Sequence, residues 1–140
     1  RRTVNMVDVI VEITNMTLIR SIVTLVDKIE LYKMVYRFAY LRDGMNRTDS
    51  SAEKFANNWV DNWSSYDFKV FAIAYLFAYS SHGMNRTDSS AEEFAFRWLR
   101  KAYNKDFTDF ARWYLFAYSS SGMNRTDSSA EEFAFKKTLE

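Results

Sequence analysis

Apolar residues recur along most of this chain at steps of three and four. Between positions 83 and 121 they fall at Ala91, Phe94, Ala95, Trp98, Leu99 and Ala102, the spacing of one face of an α-helix. A second run, Phe107, Phe110, Ala111, Tyr114, Ala117 and Tyr118, keeps the same period. Both runs have counterparts 39 residues earlier: Ala52, Phe55, Ala56, Trp59, Val60 and Trp63, then Phe68, Phe71, Ala72, Tyr75, Ala78 and Tyr79. The pattern predicts two helices per period, joined by short loops as αα-hairpins.

Polar residues mark the boundaries. Gly44-Met45-Asn46-Arg47-Thr48-Asp49-Ser50-Ser51-Ala52-Glu53 returns unchanged from Gly83 to Glu92 and from Gly122 to Glu131. A fixed period of this size is the mark of a helical-repeat array. Each Gly reads as the residue that ends a helix in a left-handed conformation, and the Met after it as a hydrophobic clasp on the last turn. Thr, Asp and Ser then supply N-caps for the next helix. Ser89 with Glu92 fits a capping box, and Thr87 with Ser90 offers a start two residues earlier. Val70, Ile73, Ala74 and Phe77 lie opposite the aromatic stripe of the second helix type, so that helix is expected to be buried on more than one side.

The fold expected is all-α: tandem αα-hairpin repeats of 39 residues in a solenoid-like stack of about seven helices. It forms a single domain over residues 1–140. Residues 1–43 are a degenerate first repeat, 44–82 and 83–121 full repeats, and 122–140 a partial one. Phe38-Ala39-Tyr40 matches Phe77-Ala78-Tyr79, which makes 28–43 a second-type helix. Residues 6–25 lack the repeated block and are rich in Val, Ile and Thr, so a strand is the alternative there. Their spacing and the repeat register favour a diverged capping helix.

Composition narrows the function classes. Aromatic residues make up 18% of the chain (twelve Phe, nine Tyr, four Trp), so rings should dominate its core and contacts. A net charge of +1 removes the electrostatic case for nucleic acid. Arg97, Arg100, Lys101 and Lys105 form a basic cluster, but it is not repeated. Asp8, Glu12 and Arg20 interrupt the apolar stretch Val4–Val26, which argues against a membrane span. The absence of cysteine suits a reducing cytoplasm and excludes disulfides and thiolate metal sites.

Catalytic signals are weak. His82 is the single histidine and stands at an expected helix end. Glu92-Glu93 and Glu131-Glu132 read as solvated charges near helix starts, and no nucleophile, phosphate-loop or metal motif appears. No cofactor is implied. The candidate binding residues are Asn46, Arg47, Asn85, Arg86, Asn124 and Arg125, a ladder of loop residues able to meet an acidic peptide or phosphate. Tyr75 and Tyr114 join them from an aromatic ladder. Phe133 and Phe135, on a final helix with no second helix after it, are candidates for self-association. The leading expectation is a non-enzymatic protein- or peptide-binding or self-associating module. A small-ligand or catalytic aromatic cavity comes second, and nucleic-acid binding third.

Overall fold

A computed structural model describes residue 22 and residues 25–140 of the chain. The described residues are all-helical, with α1 at residues 25–40, α2 at Asp49–Asn62, α3 at Ser65–Tyr79, α4 at Asp88–Ala102, α5 at Phe107–Tyr118 and α6 at Asp127–Leu139. The capping helix or strand expected over 6–25 lies almost wholly outside them. No helix among the described residues is long and apolar enough to cross a membrane. The chain divides into two compact units, Arg1–Ser64 and Ser65–Glu140.

In the first unit, Val35 and Ala39 of α1 are buried, as are Ala52, Phe55, Ala56 and Trp59 of α2. Tyr32, Tyr36 and Tyr40 stack along α1 with ring centroids 6.1 and 5.6 Å apart. Trp59 closes the end of α2: its indole N–H donates to the Ser64 carbonyl at 3.0 Å, which supplies the partner a largely buried indole requires.

In the second unit, α3 packs on α4 and α5 packs on α6, with a smaller contact between α3 and α5. Each tightly packed pair is joined across one copy of the Gly-Met-Asn-Arg block. Fully buried alanines (Ala74, Ala78, Ala91, Ala95) alternate with large rings in the core, so backbones approach closely while the rings fill the space between. Phe94, Trp98, Phe110 and Phe135 form one cluster, in which Phe110 lies 4.9 Å from Phe135 and 5.1 Å from Trp98. The helix α3 is not buried all round, as its composition led us to expect. Ala74 is buried and Phe77 half-buried, but Ile73 remains 57% exposed and Leu76 41%, so a strip of the helix stays open to solvent.

The repeated block adopts one local solution three times. After Tyr79 the chain folds back so that Met84 N–H donates to the Phe77 carbonyl and Arg86 N–H to the Ala78 carbonyl, at 3.0 and 2.8 Å. These are helix-end acceptors that would otherwise lack a partner. The left-handed residue is not the glycine. Asn46, Asn85 and Asn124 have φ of 54°, 55° and 53°, and no glycine has positive φ. Glycine is needed for space, since a Cβ on Gly83 would stand 2.0 Å from the Phe77 carbonyl oxygen. Asn takes the left-handed position because its short amide tolerates that conformation. The helix starts are also settled by structure. Thr48, Thr87 and Thr126 are the N-caps, each accepting from the N–H three residues on at 3.3 Å. The Thr87/Ser90 start is adopted in place of the Ser89/Glu92 capping box.

Candidate functional site

The block places its arginine where the next hairpin begins. Arg86 leaves the loop with its guanidinium 5.5 Å from the centre of the Phe94 ring. Its Nε and Nη2 donate to the two carboxylate oxygens of Asp127 at 2.9 and 2.8 Å, and its Nη1 to Glu131 at 2.7 Å. Asp127 and Glu131 sit four residues apart in the first turns of α6, so both carboxylates fall on one face of the helix. A planar five-donor fork suits such a two-carboxylate target. Arg97 adds a second donor to Glu131 at 2.9 Å.

Burial raises the stakes of this cluster. The Arg86 side chain is 9% exposed and that of Glu131 14%. Burial opposes the charge on Arg86, but hydrogen bonds to Asp127 and Glu131 outweigh it and its pKa is raised. Asp127 shows the mirror image: burial pushes its pKa up, while bonds from Arg86 and Tyr114 bring it below its ordinary 3.8. Glu131 is therefore not the solvated cap charge that its place near a helix start implied. Glu132 beside it is exposed.

The candidate residues thus divide. Arg86 clamps the α3/α4 hairpin to α5/α6 through its guanidinium, and with Tyr79 and Asn85 it lines a wide, open depression of about 650 Å³. Asn85 is the left-handed turn residue, as are Asn46 and Asn124. Arg47 lies 5.3 Å over the Phe55 ring. Tyr75 and Tyr114 are fully buried, and their hydroxyls donate to Asp88 and Asp127 at 2.7 Å. They belong to the core rather than to a surface groove. Four residues on from Tyr36, Tyr75 and Tyr114, the rings of Tyr40, Tyr79 and Tyr118 do reach the surface, each close to half exposed, as do Tyr66 and Tyr103. Phe135 is buried against Phe94, Trp98 and Phe110, which removes it from any exposed contact face.

Arg125 behaves differently from Arg86. It is exposed, it has no ion pair among the described residues, and its guanidinium lies 4.8 Å over Phe133. Phe133 meets Trp113 at 5.9 Å, and Lys137 covers both rings at 5.8 and 5.6 Å. Phe116 next to them is 52% exposed. A shallow groove of about 350 Å³ runs past Arg125, Phe133 and Lys136, and a second of about 340 Å³ past Arg112, Trp113 and Phe116.

His82 and the basic cluster of α4 stand apart from these grooves. His82 is exposed and its ring touches the Ser81 hydroxyl at 3.2 Å. Within the basic cluster of α4, Arg97 is engaged by Glu131 and Lys101 lies 5.4 Å over the Phe135 ring. Among the described residues no group of His, Cys, Asp or Glu could hold a metal ion. Comparison of the chain with protein-family models, with curated proteins and with solved structures gives no match.

Proposed function

We propose that the chain is a non-enzymatic interaction module, built from tandem 39-residue helical hairpins in a solenoid-like stack, that binds a protein or peptide through the outer face of α5 and α6. The observation that carries this reading is a comparison by register. Within the second unit, Arg86, Phe77 and Phe94 grip the next hairpin: Arg86 through Asp127 and Glu131, Phe77 through Phe107 and Tyr114, Phe94 through Phe107, Phe110 and Phe135. Their counterparts 39 residues on are Arg125, Phe116 and Phe133, and these lie at or near the surface. The same gripping residues are presented with nothing described in their grasp.

Rings and arginine grouped on one face are the residue types that dominate protein contacts. A partner for this face is a helical or extended segment carrying carboxylates beside an apolar side chain. A chain free of cysteine suits a reducing compartment such as the cytoplasm.

Capture of proteins on immobilised wild-type chain, set against the Arg125→Ala/Phe116→Ser double variant, tests the reading. Both substitutions fall on exposed side chains and leave the core intact. The bound proteins should disappear with the double variant and persist with Tyr79→Ala on another exposed position. An identical set of bound proteins in all three would overturn the assignment of the face.

A further inference from the structure

Resting on that reading of the α5/α6 face, we infer that its occupant is a second copy of this chain, docked head-to-tail so that Glu53 and Asp49 of one molecule meet Arg125 of the other. Each repeated block carries both halves of the clamp: an arginine, then an aspartate two residues later and a glutamate four beyond that. In the second unit the arginine half of one block engages the acidic half of the next. The first and last blocks each retain one half for which the described residues supply no ion-pair partner.

The acidic half is on α2. Asp49 and Glu53 are exposed, and they stand in the register of Asp127 and Glu131. Asp49 already accepts the Tyr36 hydroxyl, as Asp127 accepts that of Tyr114, so it is oriented as its engaged counterpart is. The basic half is on α6. Arg125 lies over Phe133 much as Arg86 lies over Phe94, so its side chain is already held in the pose of the engaged copy. Lys136 stands in the register of Arg97, the second donor to the clamped glutamate.

Apolar surface accompanies the charges on both sides. Phe116 and Phe133 stand where Phe77 and Phe94 contact the next hairpin. On the other side, Ile22, Leu25, Val26 and Ile29 are all at least 44% exposed, at the spacing of a single helix face. Ile29 is in the register of Phe107, the ring that Phe77 and Phe94 both touch. Such a contact joins two different surfaces, so each molecule added leaves one of each kind open, and association continues past a dimer.

Sedimentation velocity over a concentration series tests this with two charge reversals, Arg125→Glu and Glu53→Arg, each on an exposed side chain. Circular dichroism confirms that both variants keep wild-type helicity. Wild-type protein should show a weight-average mass that climbs with concentration beyond that of a dimer. Each variant alone should lose self-affinity by at least about tenfold. An equimolar mixture of the two should regain it, because the reversed charges then face each other and the unaltered halves still match. Association that persists undiminished in both variants, or a mixture that stays monomeric while wild type associates, would overturn the inference. Strictly monomeric wild type would overturn it as well. If that monomer still captured another protein in an Arg125-dependent way, the reading of the face as a binding surface would stand without it.

Discussion

Arg86 holds both oxygens of Asp127, a residue 41 positions further along the chain. The separation is one repeat period plus two, so the bond joins the loop of one hairpin to the first turn of a helix in the next. It converts a periodic sequence into a packed pair of hairpins. Hydrophobic burial is non-directional, and the aromatic cluster alone would tolerate several relative positions of α3/α4 and α5/α6. A two-oxygen fork plus a third bond to Glu131 admits far fewer.

Removing that fork should be costly. Arg86→Ala leaves Glu131 with Arg97 as its remaining partner and strips Asp127 of its cation. Breaking a fully buried pair costs roughly 3–5 kcal/mol. Because Asp127 is still 42% exposed, the expected loss is nearer about 2 kcal/mol after allowance for solvent screening. Arg86→Lys should recover only part of it, since an ammonium cannot span two carboxylates in a plane. Urea denaturation followed by circular dichroism measures both. Equal midpoints for wild type and Arg86→Ala would remove the clamp from the account of stability.

Turn chemistry makes an ordering test. If glycine served by adopting positive φ, Gly83 would tolerate only small changes and Asn85 any. The geometry predicts that Gly83→Ala forces a methyl group against the Phe77 carbonyl and disrupts the α3/α4 turn, well beyond the usual 0.5–3 kcal/mol or so of a point substitution. Asn85→Gly should be neutral or better at φ of 55°, while Asn85→Ala should cost up to about 1–2 kcal/mol, because alanine lacks the short amide that offsets the left-handed penalty. Thermal melts of the three variants give the order directly. A Gly83→Ala protein melting with wild type would refute the close approach.

Much of this was legible in the sequence, and for identifiable reasons. Helix type and number over residues 25–140 follow from strong 3.6-residue periodicity, zero prolines and a capping residue before α2, α4, α5 and α6. The division of labour inside Gly-Met-Asn-Arg was not legible. Gly and Asn are both turn residues with access to left-handed φ, and only the packing of Gly83 on the Phe77 carbonyl separates their roles. The arginines look ligand-facing in the sequence because a loop residue has no visible partner in one dimension. Yet Arg-x-Asp-x-x-x-Glu in every copy contained both halves of an inter-hairpin clamp, and adding one period to Arg86 lands next to its acceptors. Tyr75 and Tyr114 were ambiguous because a hydroxylated ring fits both a groove and a core. The acceptor Asp at each helix start decided for the core.

The choice of N-cap yields a paired prediction. Thr87 accepts from Ser90 N–H at 3.3 Å, and Ser89 makes no capping bond to the backbone. Thr87→Ala should therefore cost about 1 kcal/mol, the usual worth of an N-cap oxygen, and Ser89→Ala less than about 0.5 kcal/mol, as for a surface position away from such features. The same difference should appear between Thr126→Ala and Ser128→Ala. Hydrogen exchange of the first-turn amides of α4 offers a local readout: faster exchange in the Ser89 variant than in the Thr87 variant would mean that the helix starts later than Asp88.

The ionised cluster also fixes how stability should respond to pH. Asp127 has its pKa lowered from 3.8 in the folded chain, so its contribution is complete above that value and is lost as pH falls through the folded pKa. Tyr36 is pushed up to about 12 by its hydrogen bond to Asp49. Tyr114 is raised as well, by burial first and then by its bond to Asp127. A raised phenol favours the protonated form in the folded state, so this contribution is complete below the ordinary 10.0 and is lost as pH climbs from there. Stability should hold level between these limits with respect to these groups and fall on both sides. Urea midpoints at about pH 3, 7 and 11 trace the profile. Arg86→Ala should flatten the acid limb, because Asp127 then loses the cation that lowers it, and Tyr114→Phe should flatten the alkaline limb. Absorbance titration of the phenols should leave the most resistant group untitrated until the chain unfolds. An alkaline limb unchanged by Tyr114→Phe would place the base-sensitive group elsewhere than at the Tyr114–Asp127 bond.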